Sequence, residues 1–276
     1  MHLQWFPGHM TRAMRMMEEQ VKLCDGIVYV LDARSPFACI NKKLNGLFGN
    51  RPVVYVLNKS DLVDTQELKK VISQFERENK MVLPVVGTNE KSIKPLYDII
   101  YKSLAEKVEK YRQKGIRRPL RIMVAGLPNT GKSTIINLLC GGKKARTGDK
   151  AGVTKDKHWI KIKDLEFLDT PGTTPPSFES QTLAEYLAII GSINDDILDF
   201  QELSYILINY LKQTYPNAIK NTYGIDIENK TDIEIFELIG RKRGMMRKGG
   251  EVDEERCGKT IITDLRSGKL GKILFI

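Results

Sequence analysis

Short apolar runs rich in β-branched residues divide the first two thirds of the chain. They predict six strands, at residues 27–33, 53–57, 81–86, 121–125, 158–162 and 165–168. Polar stretches of helical period lie between the early runs, at 66–79 and 95–111, and have the length that a βαβ crossover needs. This alternation predicts an α/β fold with a mostly parallel sheet, covered by helices on both faces.

After about residue 178 the pattern changes to amphipathic helices. Helical periods occupy residues 182–190, 197–214, 232–239 and 253–265. Thr231 and Glu234 form a capping-box signature before the third of these, and Gly268 follows the last, as a glycine beyond a helix end does. We therefore predict an α/β domain over residues 1–178, with an N-terminal helical segment, and a smaller helical domain over 179–276.

Composition and charge narrow the class of protein. No apolar run approaches the ~20 residues of a membrane span, and the opening MHLQWFPGHM lacks the layout of a signal or transit peptide. The 4 scattered cysteines show no CxxC spacing, which favours a reducing compartment without disulfides or zinc. We expect a cytoplasmic protein without a membrane partner. The net charge of +10 favours a polyanion as its binding partner.

A phosphate-binding loop is predicted at residues 126–133. Gly126-Leu-Pro-Asn-Thr-Gly131-Lys132-Ser133 fits G-x-x-x-x-G-K-[ST] at every fixed position, between a predicted strand and a helical run. Its backbone can wrap around phosphates, Lys132 can reach the β- and γ-phosphates, and Ser133 can ligate Mg²⁺. The alternative is a glycine-rich turn with an exposed lysine. The residues of this region that we predict to contact the nucleotide are Gly126, Asn129, Thr130, Gly131, Lys132, Ser133 and Thr134.

Two motifs follow in the order that is usual for nucleotide switches. Thr154 lies in a polar loop, and its hydroxyl can complete a Mg²⁺ shell. Asp169-Thr-Pro-Gly172 ends the last predicted strand, where Asp169 can hold Mg²⁺ through water and Gly172 can offer its N–H to a γ-phosphate. Each motif is weak alone, and only their succession after the phosphate loop indicates a first and a second switch.

A base-reading motif precedes the phosphate loop. Asn58-Lys59-Ser60-Asp61 ends a predicted strand, and the Asp61 carboxylate can accept from both the ring N–H and the exocyclic amine of guanine. Adenine lacks that pair of donors, so a buried Asp61 would reject it. The stem of Lys59 can lie across the base, while Asn58 can brace the loop.

The order of these motifs differs from that of ordinary GTPases, in which the base motif follows the phosphate loop. The next loop, Val86-Gly87-Thr88, lies where a second base-contacting loop belongs, but it lacks the usual serine–alanine pair. A sheet tolerates the rearrangement because binding loops lie at the strand C-termini, whatever the order of connection. The second switch then leads straight into the helical domain, so we expect γ-phosphate contacts to move that domain.

These motifs resemble those of the circularly permuted GTPases of the YlqF/YawG family over essentially the whole chain. The most specific pieces lie at residues 5–10 (Trp-Phe-Pro-Gly-His-Met), 32–36 (Asp-Ala-Arg-Ser-Pro), 58–61, 126–133, 169–172 and 239–244. The resemblance implies GTP hydrolysis to GDP, Mg²⁺ and a late role in assembling the large ribosomal subunit. It also implies that the helical domain contacts RNA. Two departures are Gly87-Thr88 in the second base loop and Thr173-Thr174, where the family usually carries large apolar residues.

The catalytic residue is not where many GTPases place it. Position 173 commonly holds a glutamine that orients water, whereas Thr173 is too short for that task. His9 has two interpretations: a helix cap behind an aromatic anchor, or, as the resemblance implies, the catalytic residue. Asn129 is either an ordinary loop former or the asparagine that helps to hold K⁺ in related GTPases.

Cations near the end of the helical domain are candidate RNA contacts, with a solvated helix C-terminus as the alternative. They are Arg241, Lys242, Arg243, Arg247 and Lys248. The connector at residues 107–121 is also basic, and a solvated linker and an RNA contact are equally open there. The absence of RRM and KH signatures favours recognition of RNA shape.

Two classes of function stay open. One is a monomeric GTPase that docks on a precursor of the large ribosomal subunit through its rRNA and leaves on hydrolysis. The other is a regulatory GTPase that gates a protein–protein or membrane-associated complex. The basic charge and the lack of a lipidation motif favour the first.

Overall fold

The structure is a computed structural model that describes residues 8–141, 159–170, 172 and 180–276. The chain divides into two compact units, which fall largely within Trp5–Ser177 and Phe178–Phe275. The first unit carries the sheet and the second is helical. Thr154, predicted as a Mg²⁺ ligand, lies outside the described residues, and so does the side chain of His9.

Strands of the first unit form one six-stranded sheet in the order β3-β2-β1-β4-β6-β5. They are β1 Gly26–Asp32, β2 Val53–Asn58, β3 Met81–Val85, β4 Leu120–Ala125, β5 Trp159–Ile162 and β6 Leu165–Asp169. All neighbours pair in parallel except β5 and β6, which are antiparallel. The predicted mostly parallel sheet is confirmed.

Helices connect these strands. They are α1 Gly8–Val21, α2 Lys42–Leu47, α3 Thr65–Arg77, α4 Ile93–Ser103, α5 Ala105–Gln113 and α6 Lys132–Leu139. The stretch of helical period predicted over 95–111 forms two helices, because α4 ends at Ser103, Leu104 caps it, and α5 begins at Ala105. Leu104 is buried close to Gly26 and has a ψ of 4°, outside the α-helical range, which lets the chain change direction there.

The sheet is buried along its centre, which positions the ends of its strands. All seven residues of β1 are buried, as expected for a parallel strand covered on both faces. Because β1, β2, β4 and β6 run in the same direction, their carboxyl ends meet at one edge of the sheet. Asp32 lies opposite Asn58 there, in register across β1 and β2.

The second unit consists of helices packed around α8. They are α7 Gln181–Ile190, α8 Phe200–Thr214, α9 Asn217–Tyr223, α10 Asp232–Lys242 and α11 Glu254–Arg266. The capping box of Thr231 with Glu234 is confirmed, and Gly268 has the positive φ expected beyond α11. The helix predicted from 197 begins at Phe200 instead, because Asp199 caps it by accepting from two backbone N–H groups. Over the described ranges, none of the helices combines the length and the apolar composition that crossing a lipid bilayer requires.

Candidate functional site

The loop between β4 and α6 folds back on its own carbonyl groups. The buried Thr130 hydroxyl donates to the Leu127 carbonyl at 3.0 Å, and Lys132 Nζ donates to the same carbonyl at 2.9 Å. Burial lowers the pKa of Lys132 to about 8, although Asp169 nearby opposes the shift. A bound polyanion would favour the charged form of this buried ammonium group.

Asn58 connects the predicted base motif to two other loops. Its Nδ2 donates to the Thr130 carbonyl at 2.9 Å, and its Oδ1 accepts from the Gly87 N–H at 3.0 Å. Gly131 has a φ of 95°, and a Cβ at that position would lie 2.1 Å from Asn58 Nδ2. The close approach therefore requires glycine. One side chain thus brings the base motif, the loop at 86–88 and the phosphate loop together.

Lys59 joins the base motif to the phosphate loop a second time. It has a φ of 60°, and its Nζ donates to Asp32 Oδ2 and to the Asn129 carbonyl, each at 2.8 Å. Ser60 and Asp61 begin a short 3₁₀ turn after it. Asp61 is exposed rather than buried, so a base would itself have to cover the carboxylate for the predicted selectivity.

The loop after β3 is held by a serine. The hydroxyl of Ser92 lies 3.3 Å from the Val86 N–H and donates to the Val86 carbonyl at 3.2 Å. Gly87 is buried against Asn58, and Thr88 is exposed at the tip. The second base loop predicted at these residues therefore lies beside the base motif, although it lacks the usual serine–alanine pair.

Sequence reasoning missed the part that Asp32 plays in this site. Its fully buried carboxylate accepts from Arg34 Nε at 2.9 Å, from an Arg34 terminal nitrogen at 2.7 Å and from Lys59. Burial alone would raise the pKa of Asp32, but the Arg34 and Lys59 cations outweigh it and hold that pKa well below its ordinary value. A signal was available in the sequence, because Asp32 lies near the end of one predicted strand and Asn58 directly follows the next.

Asp169 and Ser133 lie together at the ends of β6 and the phosphate loop. Ser133 Oγ donates to Asp169 Oδ2 at 3.0 Å, whereas Oδ1 is buried and has no hydrogen-bond partner within the described ranges. Burial raises the pKa of Asp169, and Lys132 and the Ser133 hydroxyl oppose that shift. A hydroxyl and a carboxylate with one unused oxygen fit Mg²⁺, which prefers oxygen ligands.

Gly172 lies against the phosphate loop. A Cβ on this residue would lie 2.7 Å from the Pro128 Cα and 3.0 Å from Lys132 Nζ. Only a glycine allows the backbone to come this close, which places residue 172 beside the lysine of the phosphate loop.

His9 and Asn129 are the two predicted residues with alternative roles. The backbone of His9 lies in the first turn of α1, which begins at Gly8, so the residue is inside the helix rather than before it. Asn129 is exposed with a φ of 59°, and its carbonyl accepts from Lys59.

Three of the five predicted RNA-contact cations bind groups of their own unit. Lys242 Nζ donates to the Gly224 carbonyl at 2.8 Å, Arg243 pairs with Asp264 at 2.8 Å, and Arg247 pairs with Asp253 at 3.3 Å. Arg241 and Lys248 are exposed. The helical unit therefore uses part of this cluster to hold its own structure.

Comparison with known proteins points the same way as the geometry. A family model described as 50S ribosome-binding GTPase matches residues 121–238. A ribosome biogenesis GTPase A of Bacillus cereus is 36% identical over 277 residues, covering 100% of this chain and 94% of that protein. The protein of that name from Thermotoga maritima is 30% identical, over 99% of this chain and 94% of its own length.

A solved structure is similar over nearly the whole chain as well. The crystal structure of GNP-bound YlqF from T. maritima has a TM-score of 0.65 at 27% identity, and the match covers 96% of this chain and 97% of that one. The fold is therefore that of a P-loop GTPase, with the base motif on β2 ahead of the phosphate loop after β4.

Proposed function

Since the chain belongs to the ribosome biogenesis GTPase A family, we propose that it is a nucleotide-gated assembly factor for the large ribosomal subunit. The chain is a GTP hydrolase by that membership. The observation that carries the proposal is the arrangement around Asn58, which joins the base motif to the phosphate loop through hydrogen bonds to Thr130 and Gly87. The proposed partners are GTP and GDP, the large-subunit precursor and its rRNA, and the chain acts as a monomer without a membrane.

Nucleotide recognition uses two parts of the sheet edge. The carboxylate of Asp61 accepts from the ring N–H and the exocyclic amine of guanine, while the Lys59 stem, fixed at its end by Asp32, lies along the base. The N–H groups of the phosphate loop and the start of α6 bind the phosphates. Lys132 exchanges the Leu127 carbonyl for phosphate oxygens, which restores the full charge of its ammonium group.

Mg²⁺ is the cofactor expected at the phosphates. Ser133 and Asp169 would hold the ion, with Thr154 as a third group, and the ion supplies neutralisation of charge on the β- and γ-phosphates. Gly172 presents its backbone near Lys132 and offers its N–H to the γ-phosphate. Loss of that phosphate on hydrolysis releases the segment after Gly172, which drives release of the protein from the particle.

Hydrolysis is slow until the protein binds the ribosomal particle, because Thr173 is too short to orient the attacking water. The free protein should turn over near the ~10⁻³ s⁻¹ of unassisted P-loop GTPases. The ribosomal partner then orients His9 toward the attacking water, and this positioning lowers the barrier. His9→Ala should keep GTP affinity and subunit binding and lose most of the subunit-stimulated phosphate release. Full stimulated release in that variant would remove His9 from catalysis.

Asn129 is proposed as a K⁺ ligand beside the phosphates. Wild-type turnover should then be faster in KCl than in NaCl at equal ionic strength, and Asn129→Ala should abolish the difference. Equal rates in the two salts for the wild type would reject the K⁺ site.

Sedimentation tests the function as a whole. When cell extract that contains the protein is supplied with a non-hydrolysable GTP analogue and sedimented, the protein should migrate with the large subunit, and replacement of the analogue by GDP should release it. Association with membranes or free protein complexes instead of subunits would support the alternative, a regulatory GTPase without a ribosomal role.

A further inference from the structure

A second concave site lies at the opposite end of the sheet. Asp25 immediately precedes β1, so this cavity is at the amino ends of the parallel strands, away from the nucleotide loops. It has a volume of about 380 Å³. Four cations line it: Lys22, Arg51, Lys107 and Arg118. None of these residues takes part in the nucleotide site described above.

A buried carboxylate fixes the cations on one side of the cavity. Asp25 accepts from the Tyr111 hydroxyl at 2.6 Å, from both terminal nitrogens of Arg118 at 3.0 Å and from the Arg121 N–H at 2.9 Å. Lys107 Nζ lies 3.4 Å from the same carboxylate. The Arg118 guanidinium also lies over the Tyr111 ring, 4.9 Å from its centre. The cations are thus held in place before any ligand arrives, which lowers the cost of ordering them on binding.

Positive charge dominates the lining. Arg51 donates to the carbonyls of Cys24 and Phe48, which carry no charge that could neutralise it. Burial raises the pKa of the Cys24 thiol to about 12, so this group is neutral. Asp25 is the one carboxylate among the lining residues, against four cations.

The charge continues along α5. Lys107 and Lys110 are spaced by three residues, so they lie on the same side of the helix as Tyr111, and Lys114, four residues after Lys110, follows the end of α5. Glu109 lies on another side and pairs with Arg112 at 2.9 Å. An extended row of cations that leads out of a cavity fits a chain of phosphates better than a single small anion.

We propose that this cavity, together with the row formed by Lys107, Lys110 and Lys114, binds the phosphodiester backbone of folded RNA. The inference rests on the proposed function, since it adds a contact between the α/β unit and the same ribosomal particle. The contact is to the backbone and carries no base readout, which agrees with recognition of RNA shape.

The test measures how binding depends on salt. Lys22→Ala/Lys107→Ala removes two cations of the cavity, and Lys69→Ala/Lys70→Ala is the matched control, because it removes two exposed lysines of α3 that lie outside the cavity. Binding of the full chain, with a non-hydrolysable GTP analogue, is measured against KCl concentration for a fluorescent RNA duplex and for large subunits. Each lost phosphate contact changes the slope of log K against log[salt] by about 0.7–0.9, so the slope of the cavity variant should fall by roughly 1.4–1.8.

The outcomes separate this inference from the proposed function. The control variant should keep the wild-type slope, and GTP affinity should be unchanged in both variants. If wild-type protein does not bind subunits at all, the proposed function fails. If it binds and the cavity variant has the same slope as the control, only the cavity inference fails. A cavity variant that loses subunit binding but keeps its duplex slope would point to an acidic protein segment and overturn the RNA assignment.

Discussion

A buried carboxylate lies at each end of strand β1, and the two differ in how far their cation partners are exposed to solvent. Asp25 lies just before the strand and Asp32 ends it, and each buried carboxylate binds an arginine and a lysine. At Asp32 the arginine is enclosed, with 3% of the Arg34 side chain exposed. At Asp25 the cations reach solvent, with 37% of Arg118 and 38% of Lys107 exposed.

The difference indicates what each carboxylate is for. An enclosed ion pair has a structural role: if one charge is lost, the other stays buried and cannot be hydrated, which destabilises the fold. Asp32 therefore fixes Lys59 and, through it, the Asn129 carbonyl of the phosphate loop. An open pair presents its cations outward, so Asp25 orders a basic surface without neutralising all of it. Variants at each end can break or sharpen this contrast.

The largest effect is expected at the enclosed end. Asp32→Ala leaves the Arg34 guanidinium buried without its carboxylate, which should lower the free energy of unfolding by about 3–5 kcal/mol. GTP affinity should fall as well, because Lys59 loses one of its two anchors. Urea unfolding and calorimetric titration with GTP measure the two effects. A variant as stable as wild type would show that Arg34 finds another partner and that the Asp32–Arg34 ion pair is dispensable.

Asp61 tests whether this end also reads the base. Asp61→Asn should weaken GTP binding by about 1.5–3 kcal/mol, the cost of one hydrogen bond to a charged group, and improve binding of a xanthine nucleotide. Stability should change by no more than about 0.5 kcal/mol, because the residue is exposed. Competition with a fluorescent guanine nucleotide gives both affinities. Unchanged GTP affinity would place the base elsewhere.

Acid should act on the enclosed pair in a defined direction. Since the folded pKa of Asp32 is depressed, its stabilisation is fully present above the ordinary carboxyl pKa near ~4 and is lost as pH falls below that value toward the folded pKa. In that window the group contributes up to about 1.4 kcal/mol per pH unit. Asp32→Asn should therefore unfold with a shallower pH dependence below pH ~4 than wild type. Parallel curves would mean that other carboxyl groups dominate acid unfolding.

The open end should respond less. Asp25→Ala leaves Arg118 and Lys107 able to hydrate, so the main cost is the unpaired Arg121 N–H, about 1 kcal/mol. GTP affinity should stay at the wild-type value, because the nucleotide loops lie at the other edge of the sheet. Thermal unfolding with and without nucleotide measures both. A loss as large as that of Asp32→Ala would erase the distinction between the two ends.

Much of the fold was predictable because its determinants are local. The six strands follow from apolar runs, and the phosphate loop follows from spacing that only a tight glycine turn satisfies. The break at Leu104 and the short helix α9 were not predictable, since each depends on how the chain packs. The same holds for the ion pairs at the two ends of β1. Lys59 and Asp32 are 27 residues apart in the sequence, and Arg118 and Asp25 are 93 apart. Periodicity contains no information about such distant pairs.

The comparison extends to a third buried carboxylate, which lies in the helical unit. The variants there are expected to have the smallest effect. Asp264 accepts from Tyr223 at 3.0 Å and pairs with Arg243 and Lys269, in an open arrangement like that of Asp25. Removing Arg243 would therefore mix lost structure with lost RNA contacts.

Arg241→Ala/Lys248→Ala avoids that mixture, because both residues are exposed and neither belongs to the Asp264 group. If this cluster contacts rRNA, the slope of subunit binding against salt should fall by roughly 1.4–1.8. Stability should stay within about 0.5 kcal/mol of wild type, and unstimulated GTP turnover should be unchanged. Arg243→Ala, measured beside it, should lower stability instead. Should the double variant bind subunits with an unaltered slope, Arg241 and Lys248 are only hydrated surface cations, and the RNA contact must come from the basic side of the α/β unit.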